Sequence, residues 1–177
     1  MKAIADASSL IVLSRIDALW LLKRLFGAMA LIPGVEAETV VQGKARGYRD
    51  ALRIEDAIRD KDLVVITLTD AEKHMAVSIR RSAPALSATD CQTIACAKER
   101  RIVLVMEEQR GRNIALAHGV EYMILQVLPL HGLIGGQVSF EECDDMLLRI
   151  GRAMHTDEAV ITVLRAAAGE IRRLRAQ

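Results

Sequence analysis

The sequence has few aromatic residues and few cysteines, and both shortages restrict what the protein can be. One Trp, two Tyr and two Phe occur among 177 residues, so we expect an aliphatic core. So few rings also argue against a surface that stacks RNA bases for sequence-specific reading. Cys91, Cys96 and Cys143 have no paired spacing and the four histidines are scattered, which argues against a disulfide framework and a zinc site.

Glycine-rich ligand loops and long apolar runs are also missing. The absence of a phosphate-binding or dinucleotide-binding glycine loop disfavours a nucleotide-binding α/β regulator, and no G-x-S-x-G motif marks a hydrolase serine. No segment approaches the ~18 apolar residues of a membrane helix, and Asp6 interrupts any apolar leader. We therefore expect a cytoplasmic protein that does not contact membranes.

The charge of the chain gives no strong indication of a partner. Its formal net charge is +1, whereas a protein that coats duplex DNA usually has a large basic excess. A nuclease that touches a few phosphates beside a bound metal does not need such an excess. The length of 177 residues predicts one domain, over residues 1–177.

Short apolar runs alternate with amphipathic segments along the chain. The apolar runs predict strands at residues 2–5, 28–32, 62–67, 102–106 and 120–125. Between them the spacing predicts helices, among them one long helix over residues 10–25, and residues 43–47 are predicted to be a polar loop. This order predicts an α/β three-layer sandwich, with a central, mostly parallel sheet and helices on both faces. A C-terminal helical pair is predicted over about residues 138–177, beginning with an S-x-x-E capping box at Ser139.

Four acidic residues follow or flank the predicted strands. Asp6 ends the first strand and Glu107 ends the fourth. Glu38 lies in the helix after the second strand, and Asp90 lies in the first turn of the helix that leads into the fourth. In parallel sheets, sites form at the carboxyl ends of the strands. Four carboxylates in one cleft repel one another unless cations neutralise them, and hard oxygen ligands fit Mg²⁺ or Mn²⁺.

Each of these acids also has an ordinary structural interpretation that the sequence leaves open. The position of Asp6 is typical of an acidic residue in a turn, and the position of Asp90 is typical of a helix cap. Glu38 fits a solvated helix residue, and Glu107 with its neighbour fits a polar loop. The hypothesis of a metal site therefore depends on the joint order and placement of the four acids.

Four segments of the sequence together resemble a PIN domain, specifically the VapC-like toxins and related uncharacterised prokaryotic PIN proteins. The four segments are DASSLI at residues 6–11, PGVEAETV at 33–40, LSATDCQTIACA at 86–97 and VMEEQRGRNIA at 105–115. The first resembles the family pattern D-x-S-x-L-I, and the second resembles P-x-V-x-x-E-V. The third resembles the helix start that carries the third acid, and the fourth resembles the strand end where an Asp pair precedes R-x-x-A.

The resemblance implies a Mg²⁺- or Mn²⁺-dependent endoribonuclease. It places the four catalytic acids at Asp6, Glu38, Asp90 and Glu107. Metal ligands are expected among Asp6, Asp90, Glu107 and Glu108. It also implies an RNA substrate, a homodimer, and a role as the toxin of a pair with a small antitoxin protein.

Three further residues are candidates for substrate contact. Ser8 occupies the hydroxyl position of the first motif, where it is expected to orient Asp6 or a water molecule. Arg110 and Arg112 follow the fourth acid and are candidates to bind phosphate, with a solvated helix face as the alternative interpretation. The three residues complete the predicted site.

The sequence also departs from the family pattern. Glu107 stands where the family usually has Asp, with Glu108 able to replace it, and Thr89 with Asp90 stands where relatives often carry Gly and Glu. A longer side chain moves the carboxylate by roughly one C–C bond, and Mg²⁺ demands near-ideal octahedral geometry. The alternative hypothesis is therefore a catalytically degenerate PIN-like domain that acts as a binding or assembly module.

Overall fold

The centre of the fold is a sheet of five short strands. The computed structural model describes residues 2–175. The strands are β1 (Ala3–Ala5), β2 (Met29–Leu31), β3 (Leu63–Val65), β4 (Val103–Val105) and β5 (Tyr122–Met123). They lie in the order β3-β2-β1-β4-β5, and every neighbouring pair is parallel. The predicted α/β sandwich with a central sheet is confirmed, and all of its strands are parallel.

The helices between the strands cover the sheet on both faces. They are α1 (Ala7–Arg15), α2 (Leu19–Phe26), α3 (Pro33–Glu36), a π-helical segment (Ala37–Val41), α4 (Gln42–Ala45), α5 (Arg49–Arg59), α6 (Asp70–Ser82), α7 (Ala88–Arg100) and α8 (Gln109–Ala117). After β5 come a 3₁₀ turn (Leu125–Val127), α9 (Leu128–Ile134), α10 (Phe140–Ala153) and α11 (Glu158–Arg175). Within residues 2–175, no helix combines the length and the apolar character needed to cross a bilayer.

The sequences of the strands are continuous apolar runs because helices cover both faces of the sheet. All residues of β1 and β2 are fully buried. The largest fully buried side chains are Ile, Leu and Met, as expected from the scarcity of aromatics. The predicted aliphatic core is confirmed.

The long helix predicted over residues 10–25 is wrong, because the chain turns after α1. Asp17 has a left-handed backbone, with φ of 53°, and the amide of Ala18 donates to the carbonyl of Leu13. The apolar residues recur in steps of three, whereas a helix turns once in 3.6 residues, so their stripe winds around a straight helix. Breaking the helix lets both halves bury leucines, such as Leu13 in α1 and Leu22 in α2.

Two other segments differ from their predictions. Residues 43–47 are not all loop, since α4 extends to Ala45. There Gly43 faces α5 so closely that a Cβ atom on it would lie 2.8 Å from the Cβ of Ala51. Helix α9 was not predicted, although its Pro129 lies in the first turn, where a missing N–H removes no helical hydrogen bond.

The C-terminal helical pair is confirmed for α10 and α11. Ser139 and Glu142 form the predicted capping box, in which each side chain accepts from the other residue's amide. The pair packs against α9, and α10 also contacts α1. Residues 1, 176 and 177 lie outside the described part, and the single domain over residues 1–177 stays a prediction.

The strand order creates a crevice between β1 and β4. From β1 the chain proceeds through β2 to β3 on one side, then crosses back to β4 and β5 on the other side. Ligands of open α/β sheets bind outside the carboxyl ends of the strands, at the point where the order reverses. In this protein that point lies just after Ala5 and Val105, which are paired across β1 and β4.

An ion pair between the buried Glu72 carboxylate and the partly exposed Arg100 guanidinium fastens α6 to α7. The Glu72 side chain is 1% exposed and accepts hydrogen bonds from the Arg100 guanidinium at 2.6 and 3.2 Å. The amide and the carboxylate of Glu72 also form a capping box with Thr69. Burial by itself raises the pKa of Glu72, but the hydrogen bonds from Arg100 and Thr69 lower it overall. Glu72 is therefore ionised and depends on Arg100 for compensation.

We predict that Arg100→Met destabilises the fold by roughly 2–3 kcal/mol, because it leaves a buried carboxylate without its cation. Lys73→Met is the matched control, since Lys73 pairs with the exposed Asp70 on the same helix and is expected to change stability by less than about 1 kcal/mol. Urea unfolding at pH 7 measures both. Equal effects of the two substitutions would contradict the structural role of the buried pair.

Candidate active site

Asp6 is a buried acid at the β1–β4 crevice. Its side chain is 1% exposed and caps α1 by accepting from the Ser9 amide at 2.8 Å. Its other carboxylate oxygen accepts from the Glu107 amide at 3.0 Å, so it joins the ends of β1 and β4. Burial raises the pKa of Asp6, the hydrogen bonds from Ser9 and Glu107 oppose the rise, and the negative charge of Asp90 adds to it.

Glu107 follows β4 and is half-buried beside Asp6. Its carboxylate accepts from the Leu125 amide at 2.6 Å, in the 3₁₀ turn after β5. Burial raises the pKa of Glu107, and the charge of Asp6 raises it further, while the Leu125 amide and the Arg112 cation act in the opposite direction. The charge of Asp6 therefore destabilises the ionised form of Glu107 at the ends of β1 and β4.

Asp90 reaches the same crevice from the first turn of α7. Ser87 caps this helix: its hydroxyl accepts from the Asp90 amide at 2.9 Å and donates to the Asp90 carboxylate at 2.6 Å. The negative charge of Asp90 adds to the rise in the pKa of Asp6. The interpretation of Asp90 as a residue of the first helical turn is correct, and the cap itself is Ser87.

Glu38 lies in the π-helical segment after α3. It is half-buried, and its carboxylate accepts from the Thr89 hydroxyl at 2.5 Å. Thr89 is the residue before Asp90, so this bond joins the segment of Glu38 to the first turn of α7. π-Helical turns inside helices are often found at functional sites.

Two predicted site residues have other local partners. Glu108 caps α8 by accepting from the Gly111 amide. Ser8 is exposed at the start of α1, and the hydrogen bond to Asp6 comes from Ser9 instead. The part of Glu108 in metal binding and that of Ser8 in orienting Asp6 stay predictions.

The two arginines of the predicted site differ in their freedom. Arg112 is half-buried and donates to the Glu107 carbonyl and the Gln109 side chain, so it braces the end of β4. Arg110 is exposed at the start of α8. Arg110 is thus the better placed of the two to meet a phosphate, and binding by either stays a prediction.

The donors of the crevice suit a hard divalent cation in their chemistry. They are carboxylate oxygens, which hard cations prefer. Burial and the charge of a nearby acid raise the pKa of both Asp6 and Glu107, and a bound cation would relieve the repulsion between the carboxylates. Over residues 2–175, however, no three His, Cys, Asp or Glu side chains are arranged to hold a metal ion. A cation would therefore have to draw the carboxylates together from their present hydrogen-bonded positions.

The sequence-based reasoning missed three groups that contact these acids. Thr89 was noted only as a departure from the family pattern, although its hydroxyl bonds Glu38. The Leu125 and Glu107 amides bind carboxylates through the backbone, and backbone donors leave no side-chain pattern to detect. The hydroxyl residue next to Asp90 was the one feature of the sequence that could have indicated such a donor.

We predict that Glu107→Gln stabilises the metal-free protein at pH 7.5 and not at pH 4. An acid whose pKa is raised on folding destabilises the folded state once the pH exceeds that raised pKa, and the effect vanishes below its ordinary value of 4.5. Gln stays neutral and keeps an oxygen for the Leu125 amide. Urea midpoints in EDTA at both pH values measure the difference, and a gain that persists at pH 4 would refute this cause.

Comparison with known proteins identifies the family. No curated protein matches the sequence. A family model described as a PIN domain matches residues 2–134, about three quarters of the chain. The match includes all five strands and all four acids and stops before α10. The chain therefore belongs to the PIN domain family.

Proposed function

We propose that the protein is a Mg²⁺- or Mn²⁺-dependent endoribonuclease. PIN domains are generally nucleases, which hydrolyse phosphodiester bonds. The observation that carries the proposal is the buried Asp6 carboxylate, held at the β1–β4 crevice by the amide of Glu107. Neighbouring acids that raise each other's pKa in a cleft are typical of functional sites.

Asp6, Asp90 and Glu107 are the proposed metal-holding residues. When bound, Mg²⁺ or Mn²⁺ supplies an activated water and neutralises charge on the phosphate. Asp6 contributes a fixed carboxylate, since backbone amides hold both of its oxygens. Glu38, at the opening of the same cleft, is proposed to ligate the metal or to orient the attacking water, and Glu108 is the alternative for Glu107.

The proposed substrate and partners follow from the resemblance to VapC-like toxins. RNA is the proposed substrate, with Arg110 and Ser8 exposed beside the acids to contact its phosphates and Arg112 as a second candidate. A small antitoxin protein and a second copy of the chain are the proposed partners. Tyr48 and Leu52 are exposed on and beside α5 and are candidates for the copy-to-copy contact.

A second candidate function is favoured by one observation. Over the part of the chain that the structure describes, no three acids are arranged to hold a metal, and Glu107 is bonded to the Leu125 amide. A PIN domain that has lost catalysis and serves as a binding or assembly module would tolerate this arrangement. Metal binding distinguishes the two functions.

We predict that Asp6→Asn and Asp90→Asn each lower RNA cleavage at least about 100-fold, because each removes a negative ligand for the metal. Asp70→Asn is the control, since Asp70 is exposed on α6 and pairs with Lys73 on the same helix. Cleavage of a labelled RNA is followed in Mn²⁺, in EDTA and after Mn²⁺ is restored, with circular dichroism to check folding. Cleavage that survives EDTA, or full activity of both Asn variants, would overturn the proposal.

A further inference from the structure

Thr89 makes a side-chain contact that bridges two parts of the crevice. It is the second residue of α7, and its hydroxyl donates to Oε1 of Glu38 at 2.5 Å. The bond spans 51 positions of the chain and is partly buried, so little water competes for it. The other carboxylate oxygen of Glu38 has no hydrogen-bond partner within residues 2–175 and is available to a ligand.

The backbone opposite Thr89 makes room for this contact. A Cβ atom on Gly34 would lie 3.1 Å from Cγ2 and 3.2 Å from Oγ1 of Thr89. A Cβ atom at position 34 would require the Thr89 side chain to shift by a few tenths of an ångström. The glycine at the start of the helix therefore lets α3 and α7 approach closely enough for the hydroxyl to reach Glu38.

Further hydrogen bonds hold the segments that carry Glu38 and Thr89. The Thr39 hydroxyl donates to the Val35 carbonyl at 2.8 Å and supports the π-helical segment that carries Glu38. On the other side, the buried Thr93 hydroxyl donates to the carbonyl of Thr89 at 2.9 Å. The bond between Thr89 and Glu38 thus joins two supported segments.

We propose that Thr89 is a positioning residue that holds the Glu38 carboxylate in its working orientation. This inference rests on the proposed nuclease function. Glutamate has several rotatable bonds, and fixing one oxygen limits where the other can point. Hydrogen-bonding partners of metal-ligating carboxylates orient them, and their loss typically weakens metal affinity or activity 10- to 100-fold.

Thr89→Val tests the inference because it removes the hydroxyl and keeps the shape that packs on Gly34. Thr89→Ser restores the hydroxyl, and Thr162→Val is the matched control, because it makes the same change on α11, where the Thr162 hydroxyl donates only within its own helix to the carbonyl of Glu158. Mn²⁺ affinity by calorimetry and RNA cleavage are measured for all three and for wild type. We expect a loss of about 10-fold or more in Thr89→Val only.

The outcomes separate this inference from the proposed function. If wild type binds Mn²⁺ and cleaves RNA while Thr89→Val matches it, the nuclease function stands and the role of Thr89 is refuted. An equal loss in Thr162→Val, or no recovery in Thr89→Ser, refutes a specific role of the Thr89 hydroxyl and indicates a general effect of replacing threonine by valine. If wild type neither binds Mn²⁺ nor cleaves RNA, the proposed function fails, and the role of Thr89 fails with it.

Discussion

The hydrogen bond from the Glu107 amide to the buried Asp6 carboxylate is the contact on which the crevice depends. It fastens the end of β1 to the end of β4 at the place where the strand order reverses. The same carboxylate caps α1, so one side chain fixes a helix start and a strand pair. Two amides favour its ionised form, but burial opposes that form more strongly, the charge of Asp90 adds to the effect, and the pKa of Asp6 rises. If Asp6 served only to cap α1, the fold would not require a second acid, Glu107, beside Asp6.

Each of the other acids also has a hydrogen-bond donor, from the cap of its own helix for Asp90 and from a distant segment for Glu38 and Glu107. Asp90 is held by Ser87, Glu38 by Thr89, and Glu107 by the Leu125 amide. These donors limit the movement of carboxylates that repel one another, so the protein tolerates the charges before any cation is bound. Stability given up at such a cluster is typical of sites kept for function. The remainder of the fold supplies compensation, for example through the buried pair of Glu72 and Arg100.

The sequence predicted those features that depend on local pattern. All five strands were predicted, because strands buried on both faces are continuous apolar runs, and the ends of β1 and β4 placed Asp6 and Glu107 at one edge. The turn at Asp17, the π-helical segment around Glu38 and helix α9 were missed. Each depends on packing against distant residues, which periodicity does not report. The donors of the acids were missed for the same reason, since Thr89 lies 51 positions from Glu38 and Leu125 contributes only its backbone.

We propose that the repelling carboxylates of the β1–β4 crevice form a site for a divalent cation. The most direct test is the anomalous scattering of Mn²⁺ in crystals of the protein grown with the ion. We expect a peak in the crevice, bonded to Asp6 and to at least one of Asp90 and Glu107, which would move from their present partners Ser87 and the Leu125 amide. Mn²⁺ bound elsewhere, with the crevice empty and those hydrogen bonds intact, would contradict it.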